Sequence, residues 1–268
     1  MSKNKKTAYF AAFTLVSAVS LIPIGLSSGK IEYDLNKATA KLKAEFRFFG
    51  DVRPDILKQM VENIEKQWNG KPVRLDDHDE YDLYLVYKGR LSLSTQLTFT
   101  TIPSLAEAKK QYEANTDTSV NFIRVVSPQV QPEIYSSSAE MGDYGGGCLG
   151  IFTYGDDLAS TTTASHEFGH LLGLGHVAHP YHGRPRIMIE RGSPLADPEY
   201  SYDPTARYPL LNPYFRRVRQ EDINEIPWDD KRVVEVPGSG GMRGTIPLGY
   251  CYKLDNKAGY FKKKASGR

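Results

Sequence analysis

The stretch His166-Glu-Phe-Gly-His-Leu-Leu-Gly-Leu-Gly-His176 decides how the rest of the chain is interpreted. His166 and His170 are four residues apart, so on a helix they lie on one face and both imidazoles can reach a single ion. Gly173 can leave the right-handed helical region without steric cost, so the chain can turn there and return His176 as a third nitrogen ligand. Three neutral imidazoles leave one position of a tetrahedral ion open for water, which distinguishes a catalytic zinc site from a closed structural one.

The acidic residue of this stretch, Glu167, points in a neighbouring direction, near the ion but not necessarily bound to it. The alternative interpretation is a surface helix with scattered histidines. The remaining positions argue against it, because they are apolar, and a buried helix does not carry this much polarity without a partner. These apolar positions are Phe168, Leu171, Leu172 and Leu174. The pattern HExxHxxGxxH therefore favours a zinc site with Glu167 beside the ion.

A methionine follows the histidines at a distance that fits a metal site. Met188 lies twelve residues past His176, after the turn-prone Gly183-Arg-Pro185, and can form an apolar floor under the imidazoles. It can also be an ordinary core methionine, and the two roles are compatible. His179 and His182 are alternative ligands, but His176 has the spacing that the motif needs, so we interpret them as loop or cleft histidines.

The first 29 residues have the order of features of a secretory signal peptide, with cleavage expected after Gly29. The features are a basic start at Lys3, Lys5 and Lys6, an apolar run over residues 8–26 and small residues at 27–29. The alternative is an uncleaved anchor, because the apolar run is nearly long enough to span a bilayer. Pro23 and the polar residues inside the run favour cleavage. A cleaved leader predicts a secreted or periplasmic protein without stable membrane association.

The rest of the chain, residues 30–268, is long enough for one domain with a single core. The whole sequence has 40% hydrophobic and 25% charged residues, which is ordinary for a globular protein. Removing the three leader lysines from the 34 basic residues leaves 31, against 32 acidic residues. No basic field remains that would indicate binding to nucleic acid.

Two cysteines occur, Cys148 and Cys251. Export makes a disulfide between them chemically permissible, and closing a loop of about 100 residues contributes about 4–5 kcal/mol in the chain-entropy model. The rival role is a thiolate that blocks the metal until activation. Such a switch normally sits in a propeptide, and neither cysteine is N-terminal to the fold, so we favour the disulfide.

The residues around the metal helix predict a mixture of strands and helices. Strands are predicted at 44–49, 81–87, 91–101, 121–126 and 148–154. Before the metal helix, one helix opens at Arg53-Pro54-Asp55 and ends at Asn69-Gly70, and a second runs from Ser104 to Asn115 with a Ser cap. Residues Thr161 to Thr163 offer N-caps for the metal helix, Ser193 to Tyr214 form an irregular loop, and Phe215 to Ile226 form a last helix.

Two segments are expected to border a substrate cleft. A sheet edge beside the metal lets an extended peptide add itself as one more strand. Residues 144–152, just before the metal helix, are the candidate rim, although the glycine run 145–147 can equally be a tight turn without a substrate role. Residues 189–214 are expected to wall the pocket beside the scissile bond. The expected partner is thus a protein or peptide substrate.

His166 to His176, followed by Met188, resembles the metzincin clan of zinc endopeptidases and is most similar to its matrixin and serralysin versions. The resemblance implies an α+β fold: a twisted mixed sheet with an active-site helix and a C-terminal subdomain. On this chain the two subdomains would be residues 30–176 and 177–268. The resemblance also assigns site roles: His166, His170 and His176 bind one Zn²⁺, Glu167 is the general base, and Met188 is the turn residue.

The chain departs from that clan in two ways. Glu190 stands two residues after Met188, where astacins and serralysins have a tyrosine, so a switching tyrosine ligand is not expected. There is also no room for a long propeptide between Gly29 and the first strand. Control by a partner such as a protein inhibitor, by export or by metal supply would have to replace it.

The resulting functional prediction is an exported zinc endopeptidase in which Glu167 activates the attacking water. Two other classes stay open. One is a metallopeptidase toxin delivered to another cell, which the exported form without a propeptide allows. The other is a zinc-binding interaction protein whose catalytic geometry has decayed, although the residues that carry the chemistry are all present.

Overall fold

A computed structural model describes residues 23–26, 29–34, 39–74, 90–115, 117, 119–132, 136–142, 145–178 and 181–226. Several sequence predictions fall outside these residues: the leader over residues 1–22 and 27–28, the strand at 81–87, the loop residue His179 and the disulfide partner Cys251.

Eight strands and four helices make up the described part of the chain. The strands are β1 Pro23–Leu26, β2 Gly29–Asp34, β3 Thr39–Gly50, β4 Pro72–Arg74, β5 Arg90–Thr101, β6 Val120–Val126, β7 Ser138–Gly142 and β8 Gly145–Thr153. The helices are α1 Pro54–Trp68, α2 Leu105–Ala114, α3 Thr163–Leu171 and α4 Gln220–Glu225. Short 3-10 turns cover Tyr154–Asp156, Pro198–Tyr200 and Pro213–Phe215.

All eight strands belong to one mixed sheet, with β3 at its centre. β3 pairs in parallel with β5 along one side. Along the other side it pairs with antiparallel β2 over its first half and with parallel β6 over its second half. β8 adds in parallel to β6, and β7 adds antiparallel to β8 as the outer strand. The predicted α+β class with a twisted mixed sheet is confirmed.

The alternating side chains of β3 divide the core into two layers. Phe46 and Phe48 point to the layer that contains helices α1 and α3, whereas Phe49 points to the layer that contains α2. Strand β6 lies between covered faces, and all seven of its residues are buried. Cys148 lies fully buried in the α2 layer.

Helix α3, which carries His166 and His170, is anchored in this core by aromatic contacts. The Phe168 ring lies 5.7 Å from the Trp68 ring of α1 and 5.8 Å from the Phe46 ring of β3, both edge to face. The Trp68 indole N–H also donates to the Ser165 carbonyl at 3.3 Å. The one face of α3 that carries Phe168 is thus held against the sheet, which leaves its histidine face toward the cleft.

Several predicted elements are confirmed at their expected positions. Helix α1 begins at Pro54 and ends before Asn69-Gly70, and Ser104 caps α2 by accepting from the Glu107 amide at 3.1 Å. Strands β3, β5 and β6 contain the segments predicted for them. The loop predicted at 193–214 is irregular apart from isolated bridges, one 3-10 turn at Pro198–Tyr200 and the start of another at Pro213–Phe215.

Two predictions about local structure were wrong. The glycines at 145–147 do not form a turn but begin β8, where their backbone pairs with β7. The helix predicted from Phe215 to Ile226 is reduced to α4, because the Arg217 amide donates to the Pro185 carbonyl at 3.2 Å and keeps that part of the chain extended. Three apolar residues of this segment are nevertheless buried: Val218, Ile223 and Ile226.

The N-terminal residues bear on the predicted leader. No helix in the described ranges is long and apolar enough to cross a membrane. Strand β1 lies within the predicted leader and pairs antiparallel with β2, Leu26 opposite Gly29. Cleavage after Gly29 would remove β1 and leave β2 paired with β3.

Candidate metal centre

Helix α3 and the turn after it bring three histidines together. His166 and His170 lie buried on one face of α3. The helix ends in a left-handed turn at Gly173, whose φ of 94° is unfavourable for residues with a side chain. The amide of Gly173 donates to the His170 carbonyl at 2.9 Å and the amide of Leu174 to the Gly169 carbonyl at 3.0 Å, which is a Schellman motif. The turn returns the chain to the histidine face, as predicted from Gly173.

The ring nitrogens of the three histidines converge on one point. The Nε2 atom of His176 lies 3.2 Å from Nε2 of His166 and 3.0 Å from Nε2 of His170. In a tetrahedral zinc site with Zn–N bonds of 2.0–2.1 Å, neighbouring nitrogens are roughly 3.3 Å apart. The three side chains therefore form a group that can hold a metal ion.

The hydrogen bonds of the Nδ1 atoms of His166 and His170 show that the Nε2 atoms, which face the other histidines, carry lone pairs. His166 Nδ1 lies 2.7 Å from the Ile187 carbonyl, and His170 Nδ1 lies 2.8 Å from the Leu174 carbonyl. A carbonyl only accepts, so both Nδ1 atoms carry the proton and both Nε2 atoms present lone pairs inward. His176 Nε2 has at most one proton and cannot donate to both. This donor set fits a cation.

Burial keeps the imidazoles in the neutral form that binds metal. Burial is the main cause that lowers the pKa of His166 well below 6.5, and the positive charge of Arg216 lowers it further. Burial likewise lowers the pKa of His170 to about 4. The rings of His166 and His170 are therefore neutral imidazoles, and not imidazolium cations, at neutral pH even without a metal. His176 is different, because its side chain is 42% exposed and its Nδ1 lies 4.0 Å from a carboxylate oxygen of Glu190.

Glu167 lies on the same cavity as the three histidines. Burial raises the pKa of its carboxyl group to about 8, while Arg216 and a hydrogen bond from the Ala139 backbone lower it. A dication held by the histidines would lower that pKa further, because an adjacent positive charge favours the carboxylate. Among the described residues, Glu167, the predicted general base, has no ion-pair partner within 4.0 Å, and it borders the cavity.

Met188 is fully buried and packs directly against α3. A β-carbon placed on Gly169 would overlap the Met188 sulfur and lie 3.1 Å from its methyl group. Because Gly169 directly precedes His170 on the helix, the thioether lies against the helix between the two histidine positions. This agrees with an apolar support near the imidazoles, and Met188 also belongs to the main core cluster.

Three consecutive carbonyls around Met188 hold three parts of the site. The Ile187 carbonyl accepts from His166, and the Met188 carbonyl accepts from the Val177 amide at 3.1 Å. The Ile189 carbonyl accepts from Arg216 Nη1 at 3.0 Å. One short backbone segment therefore fixes the first ligand, the chain next to His176 and a buried arginine.

The cavity has a volume of about 370 Å³, and residues 136–139 line one side of it. From the rim expected at 144–152, the described side chains of residues 148–152 do not line the cavity, because β8 is an interior strand and β7 is the outer one. From the predicted wall at 189–214, Glu190 and Arg191 line the cavity. The position of Ser136 to Ala139 beside the three histidines was not predicted, since this short polar segment lacks a strand pattern.

An ion pair ties the edge strand to the loop after Met188. Asp156, which is 3% exposed, accepts from the Ser137 amide at 2.6 Å and from Arg191 Nη1 at 2.5 Å. The two elements that bound the cavity are therefore connected through a single buried carboxylate. Sequence reasoning did not identify Asp156 or Arg191.

The threonine hydroxyls at the start of α3 accept hydrogen bonds mainly from Arg216 and not from the helix backbone. The N-cap residue Thr162 makes no side-chain bond to the helix; its hydroxyl donates to the Pro213 carbonyl and accepts from Arg216 Nε at 3.1 Å. The Thr163 hydroxyl accepts from Arg216 Nη2 at 3.4 Å. Thr161 is the residue that bonds locally, accepting from the Thr163 amide at 3.3 Å. Of the threonines predicted as N-caps, Thr162 and Thr163 therefore bind Arg216 instead, a residue that was not predicted to belong to the site.

Two other predicted site residues lie apart from the triad. His182 is exposed in the loop after His176 and is not in the histidine group. Cys148 is buried in the α2 layer, but its expected partner Cys251 lies outside the described residues, so the disulfide stays a prediction.

Comparisons with known proteins add little to this geometry. No model of a protein family matches the chain, and no curated protein matches it. Among solved structures, it is similar to the archaemetzincin from Methanopyrus kandleri, at 13% identity over 58% of this chain and 83% of that one, with a TM-score of 0.30. A likeness of this strength carries no inference about function, and the resemblance to matrixins and serralysins stays a prediction.

Proposed function

We propose that the protein is an exported zinc-dependent endopeptidase. The observation that carries this proposal is the convergence of three imidazole nitrogens, 3.0 and 3.2 Å apart, on a cavity that Glu167 also lines. His166, His170 and His176 would hold one Zn²⁺ and leave a coordination position for water. Zinc bound there supplies a water of lowered pKa and polarises the carbonyl of the scissile bond.

Glu167 would act as the general base and then as the general acid. Its carboxylate accepts a proton from the attacking water and transfers that proton to the nitrogen of the departing amine. Burial in a cavity of low polarity raises the pKa of this carboxyl group, so its protonated form is accessible for the second step. The leaving amine must therefore lie on the Glu167 side of the site.

The edge of the sheet supports a peptide as substrate. Among the described strands, β7 pairs with β8 alone, so one of its sides is not covered by another described strand. Its first residues, Ser138 and Ala139, line the cavity that contains the histidines. An extended peptide that paired with β7 would pass beside the metal, with main-chain hydrogen bonds that do not depend on its sequence.

Export and control belong to the same proposal. The basic and apolar leader favours a secreted or periplasmic protein, in which the peptidase meets proteins outside the cytoplasm. A protein inhibitor or the local metal supply would then limit its activity. The delivered-toxin alternative differs only in where the substrate is found, and cleavage confined to proteins of another cell would support it.

The test measures metal and turnover on the same preparation. We expect one zinc per chain, cleavage of a peptide library that stops with a chelator, and recovery when zinc is restored. Glu167→Ala should keep its zinc and lose about 10²-fold or more in rate, since a positioned acid or base contributes 10²–10⁴-fold. Retained hydrolysis in zinc-loaded Glu167→Ala would contradict the role of Glu167. Zinc binding without cleavage of any peptide would instead favour the non-catalytic interaction protein.

A further inference from the structure

Arg216 is a buried cation on the wall of the active-site cavity. Its side chain is 1% exposed, yet it lines the same cavity as Glu167 and His166. Three of its five N–H groups donate to Thr162, Thr163 and the Ile189 carbonyl. These bonds hold the guanidinium in one orientation between α3 and the segment after Met188.

The charge of Arg216 has no close counterion. In the part of the chain that the structure describes, no carboxylate oxygen lies within 4.0 Å of it. Two neighbouring arginines differ, because Arg186 pairs with Asp222 at 3.0 Å and Arg191 with Asp156 at 2.5 Å. A buried cation without a partner is costly, and burial lowers the pKa of Arg216 to about 10. The cavity therefore has a place where a negative charge would be strongly favoured.

The position of Arg216 relative to Glu167 indicates which part of a substrate it faces. Its partner Thr163 lies one helical turn before Glu167, so both are on the same face of α3. Glu167 is also the charged group with the largest influence on Arg216. Since Glu167 delivers the proton to the leaving amine, the residue that carries this amine lies on the Arg216 side.

The two other acidic residues that line the cavity, Asp156 and Glu190, do not pair with Arg216. The carboxylate of Asp156 is already bonded to Arg191 and to the Ser137 amide. Glu190 is 58% exposed and lies beside His176. A substrate carboxylate would therefore meet Arg216 without displacing an existing ion pair.

We propose that Arg216 is a specificity-determining residue that binds a carboxylate on the substrate residue whose nitrogen becomes the leaving amine. This inference rests on the proposed peptidase function and names its substrate class. The carboxylate has two possible sources: an Asp or Glu side chain inside a longer peptide, or the free C-terminus of a substrate that ends at this residue. Both present the same planar group, which a guanidinium binds through paired N–H donors.

Binding of matched inhibitors tests the proposal without turnover. The probes are peptide hydroxamates that place either an aspartate or an asparagine side chain next to the zinc-binding group, each with an amidated or a free C-terminus. Calorimetry on the zinc-loaded protein should show about tenfold or tighter binding of the aspartate probe than of its asparagine twin, because a hydrogen bond to a charged group contributes about 1.5–3 kcal/mol. Preference for the free C-terminus alone would assign the carboxylate to the chain end. Equal binding of all four probes overturns the proposal.

Substrates and variants provide the second measurement. Internal peptides that differ only by Asp or Asn after the cleaved bond should show the same ratio in kcat/KM. Arg216→Gln should abolish this ratio, whereas Arg191→Gln, which changes the paired arginine of the same cavity, should retain it. Zinc content and thermal unfolding check that each variant is folded; if Arg216→Gln does not fold, the four probes on the unchanged protein decide.

The two levels of proposal fail in different ways. Tight hydroxamate binding and peptide cleavage without any preference for a carboxylate would refute the role of Arg216 and leave the peptidase proposal intact. If the zinc-loaded protein neither binds a hydroxamate nor cleaves a peptide, both proposals are wrong.

Discussion

The sulfur of Met188 occupies the space that a β-carbon on residue 169 would need, so these two positions fit together because residue 169 is glycine. Gly169 directly precedes His170 on α3, and the backbone of Met188 holds the chain beside His176. A change at either position is therefore transmitted to the metal centre through packing alone, without removing any ligand.

Gly169→Ala is expected to weaken both folding and metal binding. The added methyl group has to displace the Met188 side chain, and overpacking of a core costs about 1–3 kcal/mol. Chemical unfolding and zinc titration measure the two effects. In a double-mutant cycle, Met188→Ala should cost less in the Gly169→Ala background than alone, because it removes the overlap. Additive losses would contradict the contact.

His176→Ala is expected to lower zinc affinity sharply, because its Nε2 atom completes the group with His166 and His170. The matched control is His182→Ala, which removes an exposed histidine six residues further along the chain and should leave the zinc stoichiometry unchanged. Metal analysis after dialysis against a weak chelator compares the two variants. If His182→Ala loses its zinc and His176→Ala keeps it, the ligand assignment is wrong.

The metal-free protein is expected to become less stable, relative to Glu167→Gln, as the pH rises from about 4.5 to about 8. The pKa of Glu167 is raised in the folded state, so within this window the folded protein holds a proton that the unfolded chain has released. The difference in unfolding free energy should therefore grow in favour of the variant by up to about 1.4 kcal/mol per pH unit. Urea unfolding at several pH values measures it. The histidines titrate in both proteins and cancel, and a constant difference would argue against the raised pKa.

Asp222→Ala is expected to destabilise the protein by about 3–5 kcal/mol, because it leaves the buried Arg186 without its fully buried carboxylate partner. Asp222 is fully buried and also accepts from the Arg219 amide at 2.7 Å. Glu225 binds the same arginine at 2.7 Å, but its side chain is 51% exposed. Glu225→Ala should therefore cost about 1 kcal/mol at most. Similar losses in the two variants, measured by urea unfolding, would show that burial does not decide the strength of this pair.

The elements with a strong hydrophobic period were predictable from sequence. Helix α1 and strand β6 have buried faces that match their patterns, and Pro54 and Ser104 mark the helix starts. Strand β7 was not predictable, because Ser-Ala-Glu-Met-Gly is short, contains no β-branched or aromatic residue and is a strand through its pairing with β8. The residues after Phe215 have a helical pattern, but the bond from Arg217 to the Pro185 carbonyl overrides it until α4.

The site shows the same division. The three histidines, Glu167 and the turn at Gly173 follow from spacing along one helix, which is local information. The cavity wall depends on contacts between distant parts of the chain: Asp156 with Arg191, and Arg216 with Thr162. Nothing in the Phe-Arg-Arg run distinguishes the buried Arg216 from its exposed neighbour Arg217. Arg216 is identified only by its burial and its position on the cavity wall in the folded structure.

The three carbonyls from Ile187 to Ile189 make the metal centre sensitive to the length of this segment rather than to its side chains. Every amino acid has the same backbone carbonyl oxygen whatever its side chain, so substitutions in this segment preserve the three acceptors. Inserting or deleting a single residue would instead shift the register and present the wrong oxygen to His166, to the Val177 amide and to Arg216 at once. In directed evolution of this chain, the segment should therefore tolerate exchanges that preserve burial and reject every change in loop length.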